Sequence, residues 1–535
     1  MRRLALVAVL AVLPAPAAAD DAAVSRNLDL LLSQTAPDPA LGRIGNVAEL
    51  RRFYGARNGR PAWWRDGAWS PQAKAAITAL QTADRDGLEA RDYLGSDTAP
   101  LPGSNSEPAI ARGDALLSAA MMRYIGDVRA GRVTPSTISP EYAVYPDRPD
   151  AATVLADGLG AADFGAWLLS LPPADSAYRQ LREALAVYRK MAAAGAWPRL
   201  PEGPTLRLGA TGPEVAVLRR QLSLLGDMPE RDNAGANDFD AGLDTAVRRF
   251  QRRNGLNADG AVGARTRAAL NVTPQEHAAT IALNLERLRW FERPAAGRYV
   301  IINTAGFELT AIRDGKVAAA MPVIIGTTKR RTPLFRDQIT AVTFMPTWTV
   351  PPKIAREEIL PKVRRDPDYL AKQNMKVYSG WDSNACEVNP LDVDWKSLQA
   401  GALAHRFVQQ PGPSNALGRV RFTLHNEFGI FLHDTPAKKL FGQEVRAYSH
   451  GCVRVGDAAA LAAFVFNGDP EWPPAAIAAA MDGDETKTVE LREPVPVEMT
   501  YLTAWVDESG TVQFRADVYG RDPALRRALS RTGGI

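Results

Sequence analysis

Two cysteines and five histidines occur among 535 residues, and one cysteine and two histidines fall in two short runs. These are Ile430-Phe431-Leu432-His433-Asp434 and Tyr448-Ser449-His450-Gly451-Cys452-Val453-Arg454-Val455. A thiol becomes a useful nucleophile when a neighbouring base or positive charge favours its thiolate. Gly451 carries no Cβ, so the chain can turn tightly there and leave amide N–H groups beside the sulfur for a developing oxyanion. Two histidines compete for the role of base. In an extended stretch residues two apart share a face, which would put His450 beside Cys452. His433 ends a separate predicted strand and must be delivered by the fold. Spacing alone leaves both open.

The elements that must position these groups can be read from the rest of the chain. A length of 535 residues predicts three or four domains. The 46% hydrophobic and 23% charged content excludes large disordered tracts. A net charge of +4 gives no reason to expect nucleic acid or a strongly acidic partner. Arg2-Arg3, the apolar run Leu4 to Leu13 and Ala17-Ala18-Ala19 before Asp20 have the form of a cleaved export signal at 1–19. That run is too short for a membrane span, and no transmembrane helix is expected in the mature chain. With only Cys386 and Cys452 available, a structural disulfide is the bland alternative. A staple, however, does not need the His and Gly company of Cys452.

Residues 20–195 are Ala-rich and read as a helical scaffold. Ser70 and Pro71 open a helix carrying Ala73, Ala76, Ile77 and Leu80, with Gly87 closing it. A later helix puts Tyr178, Leu181, Leu185 and Tyr188 on one face. The aromatic cluster Phe53, Tyr54, Trp63, Trp64 and Trp69 could serve as a carbohydrate platform but reads better as a small core. A Pro- and Gly-rich linker, 195–204, leads into a three-helix unit at 205–272. Val215, Leu218, Leu222 and Leu225 line its first helix, and Leu243, Ala246, Val247 and Phe250 its second. Asn284 to Trp290 reads as a joining helix. Strand patterns begin at Tyr299 and continue through Gly429 to His433, mainly antiparallel, giving a domain at 298–492. Between about 347 and 412 the strand pattern breaks off into an insertion of lid-like length. Residues 493–535 read as a hairpin and a polar tail. The fold class expected is therefore multidomain α+β: helical scaffold, small three-helix domain, and a mainly antiparallel β domain with an inserted lid.

Two sets of residues carry family resemblances. Leu208-Gly209, Gly212, Val215 and Leu218, then Ala246-Val247 with Phe250-Gln251, then Asp259-Gly260, Val262-Gly263 and Thr266 resemble the peptidoglycan-binding type-1 domain. The polar insert Asp227 to Asp238 departs from that pattern. His433, fifteen residues, then Ser449-His450-Gly451-Cys452-Val453-Arg454 resembles the signature of the L,D-transpeptidase (YkuD-type) catalytic domain. Trp348-x-Val350-Pro351, Asn415-Ala416-Leu417-Gly418 and Tyr501-Leu502-Thr503-Ala504-Trp505 fit its large multidomain members.

This second resemblance implies that Cys452 is the nucleophile and His433 the base, with the Asp434 main-chain carbonyl orienting the imidazole. It also implies that amides around His450, Gly451 and Cys452 hold the oxyanion, that Ser449 and His450 support the site, and that Arg454 orients substrate. Phe431 and Asn426 are assigned to substrate binding, Phe431 standing where related enzymes often carry Tyr. The implied reaction is acyl transfer on peptidoglycan stem peptides through a Cys452 thioester, giving 3→3 cross-links in the periplasm. No metal or cofactor is implied, glycan and stem peptides are the expected partners, and carbapenems would acylate the same sulfur. The rivals are a cysteine-dependent L,D-carboxypeptidase, a zinc amidase using His425, His433 and His450 or Cys452, and an inactive wall-binding scaffold.

Overall fold

The computed structural model describes residues 20–532 except 37, 96–105, 230–236, 292, 294–295, 383, 399–400 and 402. The expected export signal and much of the polar insert Asp227 to Asp238 thus lie outside the described residues. Among the described residues, no helix is long and apolar enough to cross a membrane. The fold is multidomain α+β, and the chain divides into two compact units.

The first unit holds the described residues up to Val133, 146–174 and those from Leu529 onward. Its centre is the helix Glu107–Ala130, buried on nearly every side. A helix with apolar residues all round has no solvent face and must be wrapped by others. Asp114 on this helix accepts the Tyr54 hydroxyl at 2.6 Å and the main-chain N–H groups of Ala62, Trp63 and Trp64 at 2.7–3.0 Å. Burial pushes its carboxyl above the usual range, while these donors oppose that shift. Phe53, Tyr54, Trp63 and Trp64 are buried, so the aromatic cluster is core rather than a sugar platform. The helix Pro71–Gln81 starts at Ser70, whose Oγ accepts from Ala73 N at 3.1 Å. It ends before the expected Gly87, which closes a following 3₁₀ turn instead.

The second unit holds 134–145 and 175–528. The expected scaffold boundary at 195 is therefore corrected. The helix Ser176–Ala193 packs Tyr178, Leu181, Leu185 and Tyr188 against Ile281, Leu285 and Leu288 of the helix Pro274–Arg289. A single apolar stripe needs a partner, and the joining helix supplies it. The strand Tyr142–Ala143 likewise pairs with Leu334–Phe335 in the large sheet.

The three-helix unit consists of Pro213–Leu224, Ala241–Arg253 and Ala264–Leu270 around Val215, Leu218, Leu222, Leu243, Val247 and Phe250. Buried Gln251 donates to Ala261 O and accepts from Gly260 N, both at 2.9 Å. That bond pair locks the Asp259-Gly260 turn, where Gly260 has φ +74°.

The catalytic-motif residues sit in a mixed sheet whose ladder closes on itself. Strand Val420–Thr423 pairs antiparallel with Leu432–His433 on one side and with Leu334–Phe344 on the other. Leu432–His433 then runs parallel to Val453–Val455, which pairs antiparallel with Lys316–Gly326. From there Glu308–Arg313, Arg298–Asn303 and Lys487–Thr500 lead back to Leu334–Phe344. The expected boundary at 492 falls inside the strand Lys487–Thr500, so 493–500 belong to this sheet. The hairpin Ala504–Val506 with Val512–Phe514 forms as expected, but the tail folds into the helix Arg521–Thr532.

The 347–412 insertion also differs from expectation, because it holds strands of its own. Trp348–Thr349, Met375–Tyr378, Glu387–Val388 and Arg406–Gln409 make a four-stranded sheet. Val350, Ile359, Leu360, Val363, Val377 and Phe407 form its separate core. These strands have two to four residues, too few for a period-two pattern to register.

Candidate active site

Strand register brings the two motif runs together. His433 lies opposite Arg454, and Leu432 opposite Val453. Side chains alternate along a strand, so Leu432 and Val453, both fully buried, face the core. His433, Arg454, Cys452 and Phe431 therefore share the other face. Arg421 joins them, because it pairs with His433 across the antiparallel ladder. Cys452 is the diagonal neighbour of His433, a relation that puts Cα atoms roughly 7–8 Å apart and leaves long side chains within reach.

The imidazole is buried, and its Nδ1 lies 2.6 Å from Asp434 O. A carbonyl can only accept, so Nδ1 carries the proton and Nε2 is left as the basic nitrogen. Burial, reinforced by the Arg454 charge, lowers the His433 pKa to about 4, against the pull of the Asp434 carbonyl. Burial raises the Cys452 thiol to about 11, with main-chain hydrogen bonding at Phe431 and then the Arg454 charge pulling the other way. The resting pair at neutral pH is thus thiol and neutral imidazole, not thiolate and imidazolium. Among the described residues, the Sγ hydrogen bond goes to Gly429 O at 3.8 Å. Both cysteines are free thiols, Cys386 exposed in the insertion and Cys452 half-buried.

The Cys452 loop is held by its neighbours. Gly451 has φ +123°, and a Cβ there would come within 3.0 Å of Ile430 Cδ1. Ser449 Oγ donates to Cys452 O at 2.5 Å and accepts from Gly451 N at 3.1 Å. The Gly451 amide is therefore engaged within its own turn. Thr332 Oγ1 donates to Gly451 O at 2.7 Å and accepts from Gly326 N at 3.0 Å. Tyr519 OH in turn donates to Gly326 O at 2.6 Å and accepts from Thr332 N at 3.2 Å.

Other motif residues go elsewhere. His450 Nε2 bonds to Glu358 of the insertion, which also pairs with Arg330 at 3.1 Å. Glu358 sits on the π-helical turn Ala355–Ile359, so the insertion is tied to the residue two before Cys452. Asn426 bonds Ile430 O at 2.8 Å and Ile430 N at 3.0 Å, closing its own loop. The Asp434 carboxylate accepts from Arg419 N at 2.9 Å and pairs with Lys438. His425 bonds Thr340 Oγ1 at 3.0 Å, so the histidines invoked for a zinc site have separate partners.

The family model described as "L,D-transpeptidase catalytic domain" matches residues 297–473, and the one described as "Putative peptidoglycan binding domain" matches 211–270. Residues 297–473 thus match a YkuD-type L,D-transpeptidase catalytic domain. A scaffold-domain model matches 48–185. A Haemophilus influenzae protein named "Putative L,D-transpeptidase" is 33% identical over 248 residues, 46% of this chain and 49% of that relative. The chain thus spans about half the length of that curated relative. Among solved structures, the L,D-transpeptidase (residues 123-326) of Xylanimonas cellulosilytica is 18% identical with a TM-score of 0.18, covering 56% of this chain and 98% of that one. LD transpeptidase LdtMt1 in complex with imipenem is 13% identical with a TM-score of 0.18, covering 38% and 59%.

Several residues of the transpeptidase domain's site were invisible to sequence reasoning. Thr332 and Tyr519 lie more than one hundred and about seventy residues from Gly451 in the chain, and no local pattern marks them. Asn415, fully buried, donates to Pro346 O and Gln410 O at 3.0 Å and accepts from Leu417 N at 2.8 Å. It thereby shapes the loop whose Leu417 carbonyl also faces His433. The Asn415-Ala416-Leu417-Gly418 motif was the one signal that could have pointed there. Arg421, two strands from the nucleophile, carried no signal at all.

Proposed function

We propose that this protein is a peptidoglycan L,D-transpeptidase that joins stem peptides by 3→3 cross-links through a thioester on Cys452. The observation that carries this reading is the register that sets Cys452 and the imidazole of His433 on one face of adjacent strands, with Nδ1 held by the Asp434 carbonyl. His433 takes the thiol proton as Sγ attacks the carbonyl of the third stem residue, because the two groups start neutral. The Asp434 carbonyl keeps the imidazole in the required tautomer. Developing oxyanion charge is met by the Cys452 amide, since the Gly451 amide is held by Ser449. Collapse of the intermediate expels the terminal D-alanine, which takes the proton from His433. An amine of a second stem then resolves the thioester, and Cys452 recovers its proton.

Water would resolve the same thioester to a hydrolysed stem, the carboxypeptidase outcome. The insertion, anchored through Glu358 to His450, sits where it can exclude water until the acceptor arrives. The three-helix unit is assigned to glycan binding, and the protein to the cell envelope after export. Intact mass spectrometry after exposure to imipenem tests the assignment. One covalent adduct is expected on the native chain and none on Cys452→Ala; an adduct surviving that substitution overturns it. Incubation with disaccharide-tetrapeptide should release D-alanine and yield a cross-linked dimer. Release without dimer would select the hydrolytic reading.

A further inference from the structure

Two half-buried arginines flank the imidazole on the face that bears Cys452, and among the described residues neither has an acid. Arg421 and Arg454 are the cross-strand neighbours of His433 on its two sides. Among the described residues, Arg454 makes no side-chain hydrogen bond or ion pair, and its Nε is buried without a partner. Arg421 Nε is buried and unpartnered too, and its one hydrogen bond is a long 3.4 Å contact to Thr423 Oγ1. Its guanidinium lies over the Phe431 ring, 5.8 Å from the centroid. Phe431 is in turn the cross-strand neighbour of Cys452, whose strand follows at Val453. Burial lowers the pKa of both guanidinium groups, yet an arginine keeps its proton in proteins.

Burying a charge without a partner is unfavourable, so buried arginines normally meet carboxylates or carbonyls. Arg446 shows the second solution in this same domain, donating to the carbonyls of Val323, Gln443 and Phe307. Arg421 and Arg454 use neither. A planar guanidinium with its donors left open matches a carboxylate in a bidentate manner.

We propose that Arg421, together with Arg454, forms a clamp for the free C-terminal carboxylate of the donor stem peptide. This deepens the transpeptidase reading and rests on it. Cleavage before the terminal residue places that carboxylate one residue, about 3.8 Å of chain, beyond the carbonyl under attack. A stem one residue longer would carry the charge a further residue along, out of step with a thiol fixed by the same sheet. The clamp therefore measures the stem from its end and makes Arg421 a specificity residue. The donor class it selects is a tetrapeptide with a free terminal acid.

The test has two arms on the full chain. In the first, D-alanine release from a stem tetrapeptide is compared with D-alaninamide release from its C-terminal amide. The acid should be preferred at least about tenfold in kcat/KM, mostly through KM, the size of one lost charge-assisted hydrogen bond. Arg421→Gln should bring the ratio to within about twofold, and Arg421→Lys should restore part of it. The second arm needs no substrate. Cys452 alkylation by iodoacetate is compared with alkylation by iodoacetamide, in a Cys386→Ser background and with thermal unfolding as a folding check. The anionic reagent should be favoured in the parent and lose its advantage several-fold in Arg421→Gln. An unchanged acid-to-amide ratio or an unchanged reagent ratio in that variant overturns the clamp. Absence of release from either peptide, with the reagent ratio behaving as described, would overturn the transpeptidase reading while leaving the anion site standing.

Discussion

Two groups of buried arginines in the second unit differ in one respect. Around the helix Pro274–Arg289, every deeply buried guanidinium meets a carboxylate. Arg289 pairs with Glu286 at 3.0 Å, Arg287 with Asp522 at 2.6 Å, and Arg293 with Asp175 at 2.7 Å and Glu498 at 2.9 Å. On the face that bears Cys452, Arg421 and Arg454 meet none among the described residues. The first group ties helices and strands together and has nothing else to bind. The second leaves charge uncompensated in a place where a substrate's own charge can complete it. Pairing with a carboxylate thus separates the two groups.

The contrast can be broken most directly at Arg293. Burial opposes its charge, but Glu498 and Asp175 outweigh that and raise its pKa. Arg293→Ala leaves Glu498 buried without its closest cation and should cost about 3–5 kcal/mol in denaturant unfolding. A loss under about 1 kcal/mol would remove the distinction between the two groups.

A second measurement sharpens the contrast by using buried basic groups that burial keeps uncharged. His277, packed 4.1 Å from the Phe514 ring and against Tyr188, has its pKa lowered by burial to about 3, and His433 lies at about 4. An unfolded chain binds these protons from about pH 6.5 downward, while the folded chain refuses them until about 4 and about 3. Stability is therefore complete above pH 6.5 and falls as pH drops through that window, on the order of 3 kcal/mol per histidine by pH 4. Melting temperature against pH should show the decline, and His277→Phe should remove its share. A flat profile between pH 6.5 and 4 would contradict the burial argument for both.

The smallest effects belong to the open arginines themselves. Arg421→Gln should change unfolding free energy by less than about 1 kcal/mol, because no folded-state ion pair is lost. Supplying the missing acid with Thr423→Asp, two residues along the same strand, should raise stability by about 0.5–1 kcal/mol while lowering iodoacetate selectivity at Cys452. A destabilised Thr423→Asp would mean that the guanidinium is already satisfied.

Much of the frame was legible from local pattern. The Ser70 cap, the Tyr178 to Tyr188 stripe and the Asp259-Gly260 turn each record a constraint within one or two turns of chain, and each formed where the pattern placed it. What that stripe packs against was not legible, since a partner helix about one hundred residues away leaves no mark in the stripe. The insertion's strands were missed for a different reason: they are short and stabilised by their own small core rather than by alternation.

The sequence by itself determined which atoms could react. Scarce cysteine and histidine, a glycine beside the sulfur and a second run ending in histidine specify a nucleophile, two rival bases and a tight turn, because chemical identity and short-range backbone freedom are written residue by residue. Only the tertiary structure showed how the two histidines are held, His450 by Glu358 and His433 by the Asp434 carbonyl in register with Arg454. It also lowered the His433 pKa, raised that of Cys452 and left Arg421 without a carboxylate among the described residues, because each depends on burial by residues distant in the chain. Desolvation and strand register are collective properties of the packed sheet.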